Sequence, residues 1–213
     1  MKNLTFHELM VYSIGFTAQL LFSARLLLQW IQSEKNKKVV TPASFWIHSL
    51  AASFLLFIYG YLRNDFAIML GQMITYYIYI RNLQLKGEWK KLPVIIRWAL
   101  ALFPGLLVVY FYNNNTYDLS NLLGKNSTIK TWLLVLGITG QVVFTFRFIL
   151  QWIYSEKIKE SVLPLSFWWV SLAGSAMILT YAVIRKDPVL FVGQLFGFVV
   201  YARNIMLINK NEK

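Results

Sequence analysis

Residues 15–82 align with residues 137–204 at a constant offset of 122, without a gap, and 30 of the 68 paired positions are identical. This duplication constrains the fold more than any other feature. Whatever the first copy forms, the second forms too. The first copy carries Arg25-x-x-x-Gln29-Trp30-Ile31-x-Ser33-Glu34-Lys35, then Pro42-x-Ser44-Phe45-Trp46-x-x-Ser49-Leu50-Ala51. It continues with Tyr59, Arg63, Asp65, Gly71-Gln72, Tyr79 and Arg81-Asn82. The second repeats this as Arg147-x-x-x-Gln151-Trp152-Ile153-x-Ser155-Glu156-Lys157, then Pro164-x-Ser166-Phe167-Trp168-x-x-Ser171-Leu172-Ala173. Tyr181, Arg185, Asp187, Gly193-Gln194, Tyr201 and Arg203-Asn204 complete it.

Each copy contains three apolar runs, and one further run lies between the copies. The seven run roughly over 9–32, 43–62, 66–85, 93–112, 131–153, 165–184 and 188–208. Each approaches the about 20 residues that a helix needs to cross a bilayer. Lys35 to Pro42, Arg63-Asn64-Asp65, Pro93, the polar stretch Asn113 to Lys130, Pro164 and Asp187-Pro188 punctuate them. The chain is 57% hydrophobic and only 14% charged, against about 25% charged in an ordinary soluble domain. That excludes a soluble globular protein and a disordered chain. The first run carries Gln19, Arg25 and Gln29 and no Ala-x-Ala cleavage pattern, so it is expected to be a mature span and not a signal peptide.

The expected fold class is therefore all-α integral membrane, with seven transmembrane helices. Equivalent runs lie four spans apart, so both copies point the same way. They are parallel repeats about an axis along the membrane normal. Residues 9–85 form the first three-helix repeat, 93–112 a linker helix that restores orientation, and 131–208 the second repeat. The net charge of +12 does not call for a nucleic-acid partner, because membrane proteins gather Lys and Arg on their cytoplasmic side. Thirteen such residues fall on the face with loops 33–42, 86–92, 154–164 and the C-terminus, against six on the other face. The N-terminus is thus expected outside and the C-terminus in the cytoplasm.

Polar residues inside spans are costly and are functional candidates by default. Arg25, Gln29 and Ser33 share a face of the first helix, and Arg147, Gln151 and Ser155 repeat it. Gln72, Tyr79 and Asn82 stripe the third helix, matched by Gln194, Tyr201 and Asn204. Trp46 and Ser49 share a face of the second helix, matched by Trp168 and Ser171. A guanidinium stays charged and grips phosphate or carboxylate with two prongs. Arg25 and Arg147 are thus expected to clamp an anionic headgroup. Gln29, Gln72, Tyr79, Asn82 and their copies would hydrogen-bond sugar hydroxyls, and Trp46 and Trp168 would stack on a sugar face or border an acyl chain. Structural alternatives stand beside these roles. The arginines can snorkel or pair with Glu34 or Glu156. Gln72 and Gln194 can join helices. The tryptophans Trp30, Trp46, Trp152 and Trp168 can form an interfacial belt. Arg81 and Arg203 can serve as topology anchors.

Chemistry for catalysis is absent from the pattern. There is no cysteine, the only histidines are His7 and His48, and no metal spacing or glycine-rich phosphate loop occurs. The chain is expected not to be an enzyme and to use no cofactor.

Two parallel three-helix units joined by one inverting helix, with the N-terminus outside, resemble the SWEET and PQ-loop transporters in topology. Leu28 and Leu150 stand where the PQ-loop pair has proline. The Arg-x-x-x-Gln-Trp-x-x-Ser-Glu, Pro-x-Ser-Phe-Trp and Gly-Gln…Tyr-x-Arg-Asn pieces resemble the lipid-A-disaccharide synthase N-terminal domain family, over about two-thirds of the chain. In fused members the glycosyltransferase activity belongs to a separate soluble domain, which these 213 residues are not expected to contain. The resemblance implies the inner membrane of a bacterium, and as partners lipid A-type precursors, other lipid-linked sugars or a glycosyltransferase. The expected function is a membrane transporter or flippase for an anionic lipid-linked sugar or lipid A-type precursor, moved by rocking of the two bundles. The alternative is a non-transporting lipid-binding or anchoring partner of a glycosyltransferase.

Overall fold

The structure is a computed structural model and describes residues 6–62, 66–113, 131–185 and 188–211. The turns expected at Arg63-Asn64-Asp65 and at Asp187, and the polar stretch 114–130, lie outside the described residues. Seven α-helices occur among the described residues, with no strand: α1 (Phe6–Asn36), α2 (Ala43–Leu62), α3 (Phe66–Leu85), α4 (Val94–Asn113), α5 (Thr131–Ile158), α6 (Leu165–Arg185) and α7 (Pro188–Asn211). A short 3-10 turn, Trp89–Lys91, precedes α4.

The duplication is reproduced at the end of the first helix of each copy and at the starts of the second and third. α1 and α5 run about one turn beyond the expected limits, because Glu34 and Glu156 find partners there. Both stop at a lysine in the left-handed region, Lys37 (φ 52) and Lys159 (φ 58). A residue in that conformation folds the chain back on the last turn, and Lys37 N–H donates to Glu34 O at 3.2 Å. Pro42 and Pro164 then start α2 and α6, their carbonyls accepting from Phe45 N–H and Phe167 N–H.

Within each copy the middle helix packs against the other two: α2 on α1 and α3, α6 on α5 and α7. Across the copies α1 packs on α7, and α3 packs on α5. Each copy thus gives its first helix to the third helix of the other. One continuous apolar core crosses this seam, from Leu26, Trp46 and Tyr79 to Phe148, Trp168 and Tyr201. Helix α4 leans on α3. Pro104 has no N–H for the carbonyl four residues back, and that carbonyl, Leu100 O, instead accepts from Tyr76 OH at 3.0 Å.

Many large apolar side chains face outward, among them Phe16, Leu20, Ile95, Leu106, Val142, Phe146, Val183 and Val199. Apolar surface on this scale does not face water. Among the described residues, four helices are long and apolar enough to cross a membrane: α1, α2, α5 and α6.

Candidate functional site

Three polar layers cross the seam on α1, α3, α5 and α7. The first is built on the arginines. Arg25 and Arg147 are 4% and 3% exposed. Arg25 Nη1 donates to Ser49 Oγ at 2.7 Å and to Tyr79 OH at 3.3 Å. Arg147 Nη1 donates to Tyr201 OH at 3.0 Å. Aromatic rings cage both groups. Phe22, Phe45 and Tyr79 stand 4.5–5.7 Å from the Arg25 guanidinium carbon, and their copies Phe144, Phe167 and Tyr201 stand 3.4–5.4 Å from that of Arg147. Phe148 serves both: its ring centre is 5.4 Å from one guanidinium carbon and 4.7 Å from the other, which places the two charges within about 10 Å of each other.

Neither arginine is ion-paired among the described residues. Both Nε–H groups are buried without a partner among the described residues. Burying an ion costs several kcal/mol even after relaxation. A desolvated cation–π contact returns about 2 kcal/mol, so the cage offsets only part of the cost. The two like charges also repel. A pair of guanidinia in this state attracts an anion.

The second layer lies one turn away and is fully satisfied. Gln29 and Asn204 exchange amide hydrogen bonds at 2.9 and 3.2 Å, and Gln151 and Asn82 exchange theirs at 2.8 and 3.0 Å. Gln29 also reaches Ser33 Oγ and Val40 O, and Gln151 reaches Ser155 Oγ and Val162 O. Ser161 Oγ donates to Asn82 Oδ1 at 2.7 Å. All four amides are 0% exposed. Their hydrogen-bonding capacity is used between the copies, not offered to a ligand.

The third layer is an outer rim. Arg81 grips Glu156 with both prongs, one of them Nη2 to Oε2 at 2.9 Å. Arg203 grips Glu34 in the same way, with Nη2 to Oε2 at 3.0 Å. Trp30 and Trp152 donate their indole N–H to those same carboxylates at 3.0 and 3.2 Å. The glutamates therefore neutralise Arg203 and Arg81, not the buried arginines. Beyond the rim a cleft of about 550 Å³ opens between the 38–43 and 160–163 loops, with Lys38, Lys86, Glu88 and Glu160 on its walls. Burial pushes the Lys86 ammonium below its usual pKa, while Glu160 pulls it the other way.

The family model described as the lipid A biosynthesis N-terminal domain matches twice, over residues 14–84 and 136–206. The chain belongs to that family. It is similar to proteins named lipid-A-disaccharide synthase. The one from Chlamydia pneumoniae is 30% identical over 212 residues, covering 96% of this chain and 34% of that protein. Those from Chlamydia abortus and Chlamydia felis are 30% and 28% identical, with 96% and 95% of this chain and 34% of each protein covered. The chain thus spans about a third of the length of the curated relatives it matches. No solved structure matches it.

In this tandem lipid A biosynthesis N-terminal domain, the twelve candidate residues divide by environment. Arg25, Tyr79, Arg147 and Tyr201 come together around Phe148. Gln29, Asn82, Gln151 and Asn204 form the amide layer. Trp46 and Trp168 are 0% exposed, their rings 6.0 and 6.1 Å from Tyr79 and Tyr201. A belt tryptophan faces lipid, so that reading is corrected for these two, and the indole N–H of each is buried without a partner. Gln72 and Gln194 lie partly buried two turns from the tyrosines, and Gln72 Oε1 has no partner. Sequence reasoning assigned no role to Ser49, to the caging Phe22, Phe45, Phe144 and Phe167, or to Phe148. Repeat identity flags all of these except Phe148, whose partner position is Leu26.

Proposed function

We propose that this chain binds the headgroup of an anionic lipid-linked sugar or lipid A-type precursor between its two repeats and moves it across the bacterial inner membrane. The observation that carries this is the pair of buried arginines without counter-charge, set at the seam where the copies meet. On this reading all seven helices span the bilayer as two parallel three-helix bundles joined by the linker α4, the 3+1+3 arrangement of SWEET-type transporters. The N-terminus lies outside and the C-terminus in the cytoplasm. Arg25 and Arg147 hold the charge. Tyr79 and Tyr201 orient the guanidinia, Trp46 and Trp168 supply spare donors, and Gln72 and Gln194 flank the path on the outer side. The amide and rim layers close the cytoplasmic side, and rocking of the bundles opens it by separating the four cross-repeat pairs.

The family and its lipid A context support the class of ligand. A second reading rests on the one-third coverage of the synthases: the chain anchors, or feeds lipid to, a separate glycosyltransferase and transports nothing itself. In both readings the chain itself is not catalytic. Reconstitution separates them. Proteoliposomes with a headgroup-labelled lipid phosphate are expected to expose inner-leaflet label to an impermeant quencher faster than empty vesicles do, and Arg25→Met/Arg147→Met abolishes the gain. Arginine-dependent binding without any gain in flux leaves the anchoring reading.

A further inference from the structure

We infer that the arginine layer selects a dianionic phosphate, a phosphomonoester or diphosphate, and is blind to the sugar attached to it. This rests on the anion-binding reading above and narrows it. Two features carry it.

The first is the donor inventory. Around Phe148 the buried polar atoms without a partner among the described residues are all donors: Nε of Arg25 and Arg147, and Nε1 of Trp46 and Trp168. Arginine and tryptophan side chains have no acceptor, and no carboxylate pairs with either arginine among the described residues. A sugar hydroxyl both donates and accepts, and none of these four unpartnered atoms can accept its proton. The groups suited to hydroxyls are Gln29, Asn82, Gln151 and Asn204, and they are spent on one another. Gln29 Nε2 alone contacts Asn204 Oδ1, Ser33 Oγ and Val40 O. A fully ionised phosphate ester is acceptor-only and matches a cluster of unpartnered donors.

The second is charge. Two guanidinia stand within about 10 Å of each other across one ring. A phosphodiester headgroup carries a single negative charge and leaves one guanidinium unneutralised in a buried site. A phosphomonoester carries about −1.5 to −2 near pH 7, with a second pKa of about 6, and neutralises both. The abundant phosphodiester lipids of a membrane are thereby disfavoured against a ligand with a terminal phosphate or a diphosphate. The two copies do not contribute equally. Arg25 has two side-chain hydrogen bonds and Arg147 one, so Arg147 has the greater need of the ligand.

The test uses the full chain, purified in a neutral maltoside detergent, where a sugar headgroup is already in large excess. Dodecyl phosphate and dihexanoyl phosphatidylglycerol are titrated separately, and tryptophan fluorescence and the thermal midpoint are read. Dodecyl phosphate is expected to bind saturably, about tenfold tighter than the phosphodiester, one charge-assisted contact being about that fold-change. The preference shrinks at pH 5, where the monoester holds one charge. Arg147→Met is expected to weaken dodecyl phosphate more than Arg25→Met, and Trp46→Phe/Trp168→Phe by a few-fold. Equal, arginine-dependent binding of the phosphodiester overturns this inference alone, as does an unchanged preference at pH 5. If neither amphiphile binds and the arginine variants match wild type, the anion site itself falls. The melting profile of each ligand-free variant reports whether it is folded.

Discussion

Arg25 and Gln29 sit one turn apart on the same helix, about 6 Å along its axis, and both are buried, yet their surroundings are opposite. Every amide of the second layer is hydrogen-bonded, and each pairs with an amide of the other copy. The arginine layer has two charges and, among the described residues, four unpartnered N–H groups in its cluster and no acid paired with them. Identical repetition therefore has two causes in one molecule. A buried polar group that is satisfied stabilises an interface. One that is unsatisfied costs stability, and its retention in both copies points to a ligand.

The largest expected effect comes from breaking the satisfied layer. Gln29→Leu leaves Asn204 Oδ1 without its amide donor, and a buried group left unpaired costs about 1–3 kcal/mol. Thermal unfolding in detergent is expected to show a large drop in midpoint, greater than for Gln151→Leu, because Ser161 still donates to Asn82 Oδ1 there. A Gln29→Leu protein as stable as wild type contradicts the structural role of the amide layer.

Next is Gly174→Ala. A Cβ there meets the Phe144 backbone at 2.9 Å, and backbone gives way less easily than a side-chain tip, so overpacking costs about 1–3 kcal/mol. The first copy has Ala52 at this position and tolerates it. Since Phe144 stacks on Arg147 at 3.4 Å, the substitution also probes how far the second arginine depends on close α5–α6 packing. Unchanged stability and unchanged anion affinity contradict that dependence.

Glu156→Gln on the rim has a smaller effect. Both partners of this ion pair are partly exposed, and such pairs are weak and screened. The midpoint difference from wild type is expected to vanish in molar salt. Persistence there shows a stronger pair than the geometry implies.

The smallest expected loss is for Arg147→Met without ligand. Replacing a buried, uncompensated charge by an apolar side chain of similar length does not lower the midpoint. A steep drop makes Arg147 a structural residue and erases the difference between the layers.

Much of this was legible in the sequence. Helix number and the matched helix starts of the two copies followed from apolar runs and a constant offset, which are local properties. The candidate residues were legible as a set, because repeat identity marks polar groups in apolar helices whatever their task. Their division was not legible. Gln29 and Arg25 lie on one stripe, and which of them finds a partner depends on the register of α1 against α7, a relation between residues 175 apart. The pairing of Glu34 with Arg203, and not with Arg25, is long-range in the same way. Trp46 and Trp168 looked interfacial from their place near helix starts, but rotation of α2 and α6 into the core removes them from the surface. Phe148 gave no signal, since only one copy has it.

On the proposed reading, a ligand supplies the counter-charge that the two seam arginines lack among the described residues. Mass spectrometry of the lipids that copurify with wild type and with Arg25→Met/Arg147→Met in gentle detergent tests this most directly. An enriched phosphorylated glycolipid or prenyl phosphate on wild type, absent from the double variant, is the predicted result. Lipids that mirror the bulk membrane in both proteins contradict it.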